Sequence, residues 1–72
     1  MDSTSELEVV VNGGVQRLVA DASVADLLAI LDMGERRVAV AVNRNIVVRS
    51  SYRRVQLNNG DRIEILEAVG GG

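Results

Sequence analysis

The residues of this chain that could do chemistry emerge by elimination. Its 72 residues include no Cys and no His, and all eight basic residues are Arg, so Lys is absent too. That removes the thiolate nucleophile, the imidazole base, the Schiff-base amine and the usual donor sets for zinc. What remains is Asp, Glu, Ser, Thr, Tyr and Arg, a poor set for an active site in so small a body. A different reacting group stands at Val69-Gly70-Gly71-Gly72. Glycine lacks Cβ, so a run of it enters slots too narrow for other residues and takes whatever dihedrals a partner demands. Four extended residues reach about 13–14 Å. They would carry the α-carboxylate of Gly72 into a partner's cleft while the body docks outside, with Gly70 and Gly71 presenting it. A carboxylate is ionised at neutral pH and resists nucleophiles until it is converted to an acyl-adenylate. The chain carries no phosphate-binding loop, so ATP and the activation would come from a partner. The competing reading of the glycines is an inert frayed terminus.

Such a terminus needs a folded body, and the composition supplies one. The apolar fraction of 47% suits a globular chain, and the length suits one domain spanning 1–72. With no disulfide to staple it, stability must come from aliphatic packing. The formal net charge of −2 and a single aromatic, Tyr52, argue against a nucleic-acid binder. No apolar stretch is long enough to span a membrane. The polar, acidic start is unlike a signal peptide, which makes the cytoplasm the expected compartment.

Along the chain, residues 1–6 read as a disordered lead-in. Leu7, Val9 and Val11 alternate with Glu6, Glu8 and Val10 as a strand does, and Asn12-Gly13-Gly14 is a turn before a return strand over 15–20. Ser23 followed by Asp26 resembles a capping box. Val24, Leu27, Leu28 and Leu31 then fall on one helical face, with Gly34 as the stop signal. Val38-Ala39-Val40-Ala41-Val42 reads as a central strand buried on both faces. A turn at Asn43-Arg44-Asn45 leads to a short strand over 46–48. Residues 50–57 show no clean period, and Asn58-Asn59-Gly60-Asp61 is a turn before a last strand from Ile63 to Ala68. The order predicts an α+β fold: a mixed sheet of four to five strands, one main helix on one face, and a flexible C-terminal glycine tail over 69–72. If the alternation holds, Glu8, Val10, Arg62, Glu64 and Leu66 face away from the helix. Val10 and Leu66 then form an apolar patch that could mark a docking surface. Tyr52 reads as partial core.

The segments Val9-Val10-Val11-Asn12-Gly13, Val24-Ala25-Asp26-Leu27-Leu28, Val38 to Asn43, Ile46 to Arg49, Leu57 to Ile65 and Ala68 to Gly72, in this order and spacing, resemble the β-grasp sulfur carriers of the ThiS/MoaD family. The likeness covers the chain from about residue 7 onward and is greater to the ThiS type. Val48 stands where the family often has proline, and Tyr52 near a frequent tryptophan. The resemblance implies a ubiquitin-like β-grasp fold and a carrier, not an enzyme. It implies that an E1-like adenylyltransferase of the ThiF type, using ATP and Mg²⁺, adenylates Gly72. Sulfur from a persulfide donor then gives a thiocarboxylate, and a thiazole synthase of the ThiG type accepts the sulfur in thiamine biosynthesis. The carrier itself would bind no cofactor and no metal. Val10, Leu66 and Val69 would meet the partners. The alternatives are a MoaD-type carrier for molybdopterin, a ubiquitin-like protein modifier, and an interaction module with an inert tail.

Overall fold

The computed structural model describes residues 6–67; the lead-in over 1–5, Ala68 and the expected tail over 69–72 lie outside the described residues. Strands β1 (Glu6–Val11) and β2 (Gly14–Val19) form a hairpin. Helix α1 (Val24–Ile30) follows, then β3 (Val38–Val42), β4 (Asn45–Val47), a 3₁₀ turn (Arg49–Ser51) and β5 (Arg62–Glu67). Glu6, placed in the lead-in by sequence, pairs with Val19 and opens β1. The sheet is mixed, in the order β2-β1-β5-β3-β4. β5 occupies its centre, parallel to β1 and antiparallel to β3. This is the expected β-grasp arrangement of five strands and one helix.

Both hairpins turn on asparagine. Asn12 and Gly13 have φ of 48° and 87°, and Asn43 and Arg44 have φ of 51° and 73°. Two consecutive left-handed residues mark the turn type whose twist matches paired strands, and asparagine tolerates that conformation better than most side chains.

The helix has seven residues, too few to persist alone, and its ends are satisfied by several devices. Ser23 Oγ accepts from Asp26 N at 3.2 Å, while Asp26 Oδ2 accepts from Ser23 N at 2.9 Å, the reciprocal cap expected from the sequence. The next two free amides go to the segment that showed no period: Val24 N donates to Val55 O and Ala25 N to Tyr52 O, both at 3.0 Å. That segment has no period because it is neither helix nor strand: it opens with the 3₁₀ turn, closes further turns on Ser51 O, and lends the Tyr52 and Val55 carbonyls to the helix. At the other end the helix stops before Gly34. Asp32 takes φ of 62°, Met33 N donates to Leu28 O, and Asp32 N donates to Ala29 O. This closing pattern usually employs glycine at the left-handed position; here an aspartate fills it, which is why Gly34 misled.

The core lies between α1 and one face of the sheet. Leu7, Val9, Leu18, Val24, Leu27, Leu28, Val40, Leu57, Ile63 and Ile65 are buried there. Tyr52 is half-buried against this cluster, and its hydroxyl donates to Val38 O at 3.2 Å, so it is partial core as expected. β3 corrects its expectation in one respect. It is interior in strand order, but only Val40 is fully buried while Ala39 is exposed. Its unbroken apolar run reflects one covered face and one open face lined with alanine.

Candidate functional site

β5 ends at Glu67, three positions before Gly70 in the sequence, so what holds β5 fixes the last described strand before the glycines. The main-chain ladder between β1 and β5 is short, pairing Val10 with Arg62 and Val11 with Ile63. Where β1 turns away, the Asn12 side chain continues the ladder. Its Oδ1 accepts from Ile65 N at 2.8 Å, and its Nδ2 donates to Ile65 O at 3.1 Å. On the opposite edge Asn43 Oδ1 accepts from Arg62 N at 2.9 Å, and Asn43 Nδ2 donates to Asp61 Oδ1 at 2.9 Å. Asp61 is buried, and its Oδ2 accepts from Asn58 N at 2.8 Å, closing the turn that feeds β5. Asn59 Oδ1 accepts from Glu8 N at 2.8 Å, tying that turn to β1. Among the described residues no buried side-chain N or O lacks a partner. The three turns therefore do more than reverse the chain: their side chains fix β5 and the turn that feeds it. Sequence reading found all three as turns and missed this role. The available signal was an Asn at the first left-handed position of both hairpins.

The face of the sheet away from α1 carries the expected patch and enlarges it. Val10 is half-buried and Leu66 is 70% exposed, and both line one shallow depression of about 350 Å³ with Asn12, Arg62 and Glu64. The structure thus brings the two sequence-predicted docking residues together; Val69 lies outside the described residues. The strand registers add members that sequence reading missed. Val15 lies opposite Val10, Ala39 opposite Leu66, and Ile46 opposite Ala41. Val15 is 66% exposed and Ile46 74%. Their signal was the hairpin register itself, since a partner directly opposite an outward residue also points outward. The cross-strand pair Glu8–Arg17, at 3.3 Å, edges this surface. Aliphatics on an open sheet face, bordered by charge, have the make-up of a recognition surface.

At the far end of β5, Glu67 Oε2 accepts from Arg36 Nη1 at 2.7 Å. That hydrogen bond, assisted by the Glu67 charge, holds the Arg36 guanidinium above its already high ordinary pKa. Among the described residues no group of three or more Asp or Glu could hold a metal ion, and no helix is long and apolar enough to cross a membrane.

Comparison with known proteins assigns this arrangement. The model of the ThiS family matches residues 9–72, which include Gly70, Gly71 and Gly72. A thiazole synthase of Paramagnetospirillum magneticum is 41% identical over 66 residues; the match covers 92% of this chain and 20% of that protein, so the chain spans about a fifth of this relative's length. An uncharacterized protein, ycf40, of Pyropia yezoensis is 31% identical over 68 residues, covering 94% of this chain and 96% of that one. Among solved structures, the crystal structure of the thiamine biosynthesis protein ThiS from Geobacter metallireducens superimposes with a TM-score of 0.77 at 26% identity, covering 92% of this chain and all of the other. A family match over residues 9–72, on a five-stranded mixed sheet with one helix, places this chain in the ThiS family.

Proposed function

We propose that the chain is a sulfur carrier for the thiazole branch of thiamine biosynthesis, and that its reacting group is the carboxylate of Gly72. An E1-like adenylyltransferase of the ThiF type joins this carboxylate to the AMP of Mg²⁺-bound ATP, and pyrophosphate leaves. The terminal sulfur of a cysteine persulfide then attacks the acyl carbon and displaces AMP. Cleavage of the resulting S–S bond by a thiol leaves Gly72 as a thiocarboxylate. A thiazole synthase of the ThiG type takes the sulfur from it. On this reading the chain is a co-substrate, and ATP and Mg²⁺ belong to the partner's site.

The observation that carries the reading is the ThiS family match across residues 9–72, glycines included. The likeness to a segment of a thiazole synthase supports thiamine over molybdopterin as the pathway. The structure supports it through two features. β5 is held on both edges by Asn12 and Asn43, which gives the glycines a fixed origin. The open face beside it offers Val10, Val15 and Leu66 for docking.

The test is incubation with the adenylyltransferase from the same genome, ATP, Mg²⁺ and a persulfide donor, followed by intact-mass measurement. The expected result is a mass gain equal to the exchange of one oxygen for one sulfur, lost again when thiazole synthase turns over. Deletion of Gly72 abolishes the gain and leaves the circular dichroism spectrum unchanged. An unaltered mass, with an enzyme that demonstrably activates another carrier, overturns the reading.

A further inference from the structure

The chain's charge is unevenly distributed around the end of β5. A cleft of about 540 Å³ there is lined by Arg36, Arg37, Arg49, Tyr52, Leu66 and Glu67. A second, of about 380 Å³, shares Gly34, Arg49 and Tyr52 with the first and adds Arg53. Four of the eight Arg of a net-acidic chain therefore meet on two adjoining clefts. All four are exposed. Glu67 is the one acidic residue in the two linings, and Arg36 already neutralises it at 2.7 Å. Asp32 and Glu35 lie on the same loop as Arg36 but line neither cleft.

Two further observations give this basic region a direction. Glu67 pairs with Val38 at the end of β5 and both line the first cleft, so the region adjoins the last described residue before Ala68 to Gly72. Ala39 and Leu66, which line the first cleft, also belong to the open apolar face. A partner that covers Leu66 therefore lies against Arg36, Arg37 and Arg49, which line the same cleft, with Arg53 in the adjoining one.

We propose that Arg36, Arg37, Arg49 and Arg53 form an electrostatic docking surface for acidic side chains around the mouth of the adenylating enzyme's active site. This rests on the carrier reading above and adds the chemistry of the partner's rim. Protein carboxylates fit better than a small bound anion. The arginines are exposed and spread over two adjoining clefts, whereas a phosphate site gathers buried donors on one point. Exposed, complementary charge of this kind mainly speeds encounter and sets orientation.

The test measures the association rate constant of the full chain with its adenylyltransferase by stopped flow, from low to high salt. The variant is Arg37→Glu/Arg49→Glu/Arg53→Glu, which leaves the Arg36–Glu67 pair in place. Its association rate constant is expected to fall at least tenfold at low ionic strength, converging on wild type at high salt, where charges are screened. Its melting temperature stays at the wild-type value, because all three arginines are exposed. Arg49→Glu alone slows association several-fold, while Arg44→Glu, on the β3–β4 turn, changes net charge equally and slows it far less. Replacement of the three by Lys retains most of the rate. Equal association of the reversed variant and wild type at low salt overturns the docking surface alone. Inorganic phosphate that slows association beyond chloride at matched ionic strength also overturns it, in favour of a small-anion pocket. A wild-type chain that the enzyme does not adenylate overturns the carrier reading and this surface with it.

Discussion

The two faces of the sheet use the same aliphatic residues for opposite purposes. On the covered face, Val9, Val40 and Ile63 pack against Leu27 and Leu28 of α1 and are almost wholly removed from water. On the open face, Val15, Ile46 and Leu66 remain largely in water. Alternation along β1 and β5 switches residue by residue between these two environments. A valine's contribution is thus set by its parity in the strand, not by its identity. The covered face holds the domain together; the open face is free to be recognised because stability does not depend on it.

The largest effect expected from breaking this division is on the covered side. Leu27 is fully buried under the sheet. Leu27→Ala should cost about 2–5 kcal/mol, the lost transfer energy plus the cavity left behind. That is a large share of the stability of so small a domain, and urea unfolding should show a strongly lowered midpoint or no cooperative transition. A loss under about 1 kcal/mol, within the range of surface changes, would mean that α1 is not the lid of the core.

The next effect concerns the strand both faces share. Asn12→Gly and Asn43→Gly keep a residue suited to positive φ and delete the side-chain bonds to Ile65 in the first case and to Arg62 and Asp61 in the second. Each should cost about 1–3 kcal/mol, because a strand amide or a buried carboxylate loses its partner. Hydrogen exchange should localise the damage: faster at Ile65 N–H in the first variant and at Arg62 N–H in the second. Unchanged protection at both would mean that water replaces the asparagines without loss.

These asparagines also mark where sequence reading stopped. The covered face was legible because Leu7 to Val11 and Ile63 to Leu66 alternate, and Val24, Leu27, Leu28 and Leu31 recur at helical spacing. Such local periods are imposed by burial on one side and need no knowledge of the neighbours. The Ser23–Asp26 cap was legible for the same reason, as both partners lie within one turn. What was not legible joins residues distant in sequence. Asn12 bonds to Ile65 and Ala25 to Tyr52, and nothing local to Asn12 or Tyr52 announces either contact. β3 was misread because alanine on an open face and alanine in a core look alike in sequence. Of the docking surface, Val10 and Leu66 were legible from strand parity, while Val15 and Ile46 required the registers.

A smaller pair of effects acts at the helix ends and divides by sign. Ser23→Ala removes the reciprocal cap and should destabilise by about 1 kcal/mol. Asp32→Gly relieves a non-glycine residue at φ of 62° and removes a negative charge next to the helix's negative end, so it should stabilise by up to about 1 kcal/mol. Thermal melts of the two variants should bracket the wild type. A destabilised Asp32→Gly would show that the aspartate side chain contributes more than its backbone costs.

The smallest effect on stability is expected on the open face, and there it is the informative result. Leu66→Thr and Val15→Thr remove apolar surface while keeping a residue at home in a strand. Both native residues are already about two-thirds exposed, so folding buries little of them and the unfolding midpoint should shift by no more than about 0.5 kcal/mol equivalent. Binding reads the same change differently. A partner that covers the face removes the remaining area from water, and each lost patch of apolar surface then weakens the complex at about 25 cal/mol per Å². Association with the adenylyltransferase should therefore weaken several-fold in either variant, chiefly through faster dissociation, while denaturation curves overlay. If Leu66→Thr unfolds early, the residue serves the domain rather than its partners, and the division of labour between the faces fails at the strand that leads to the glycines.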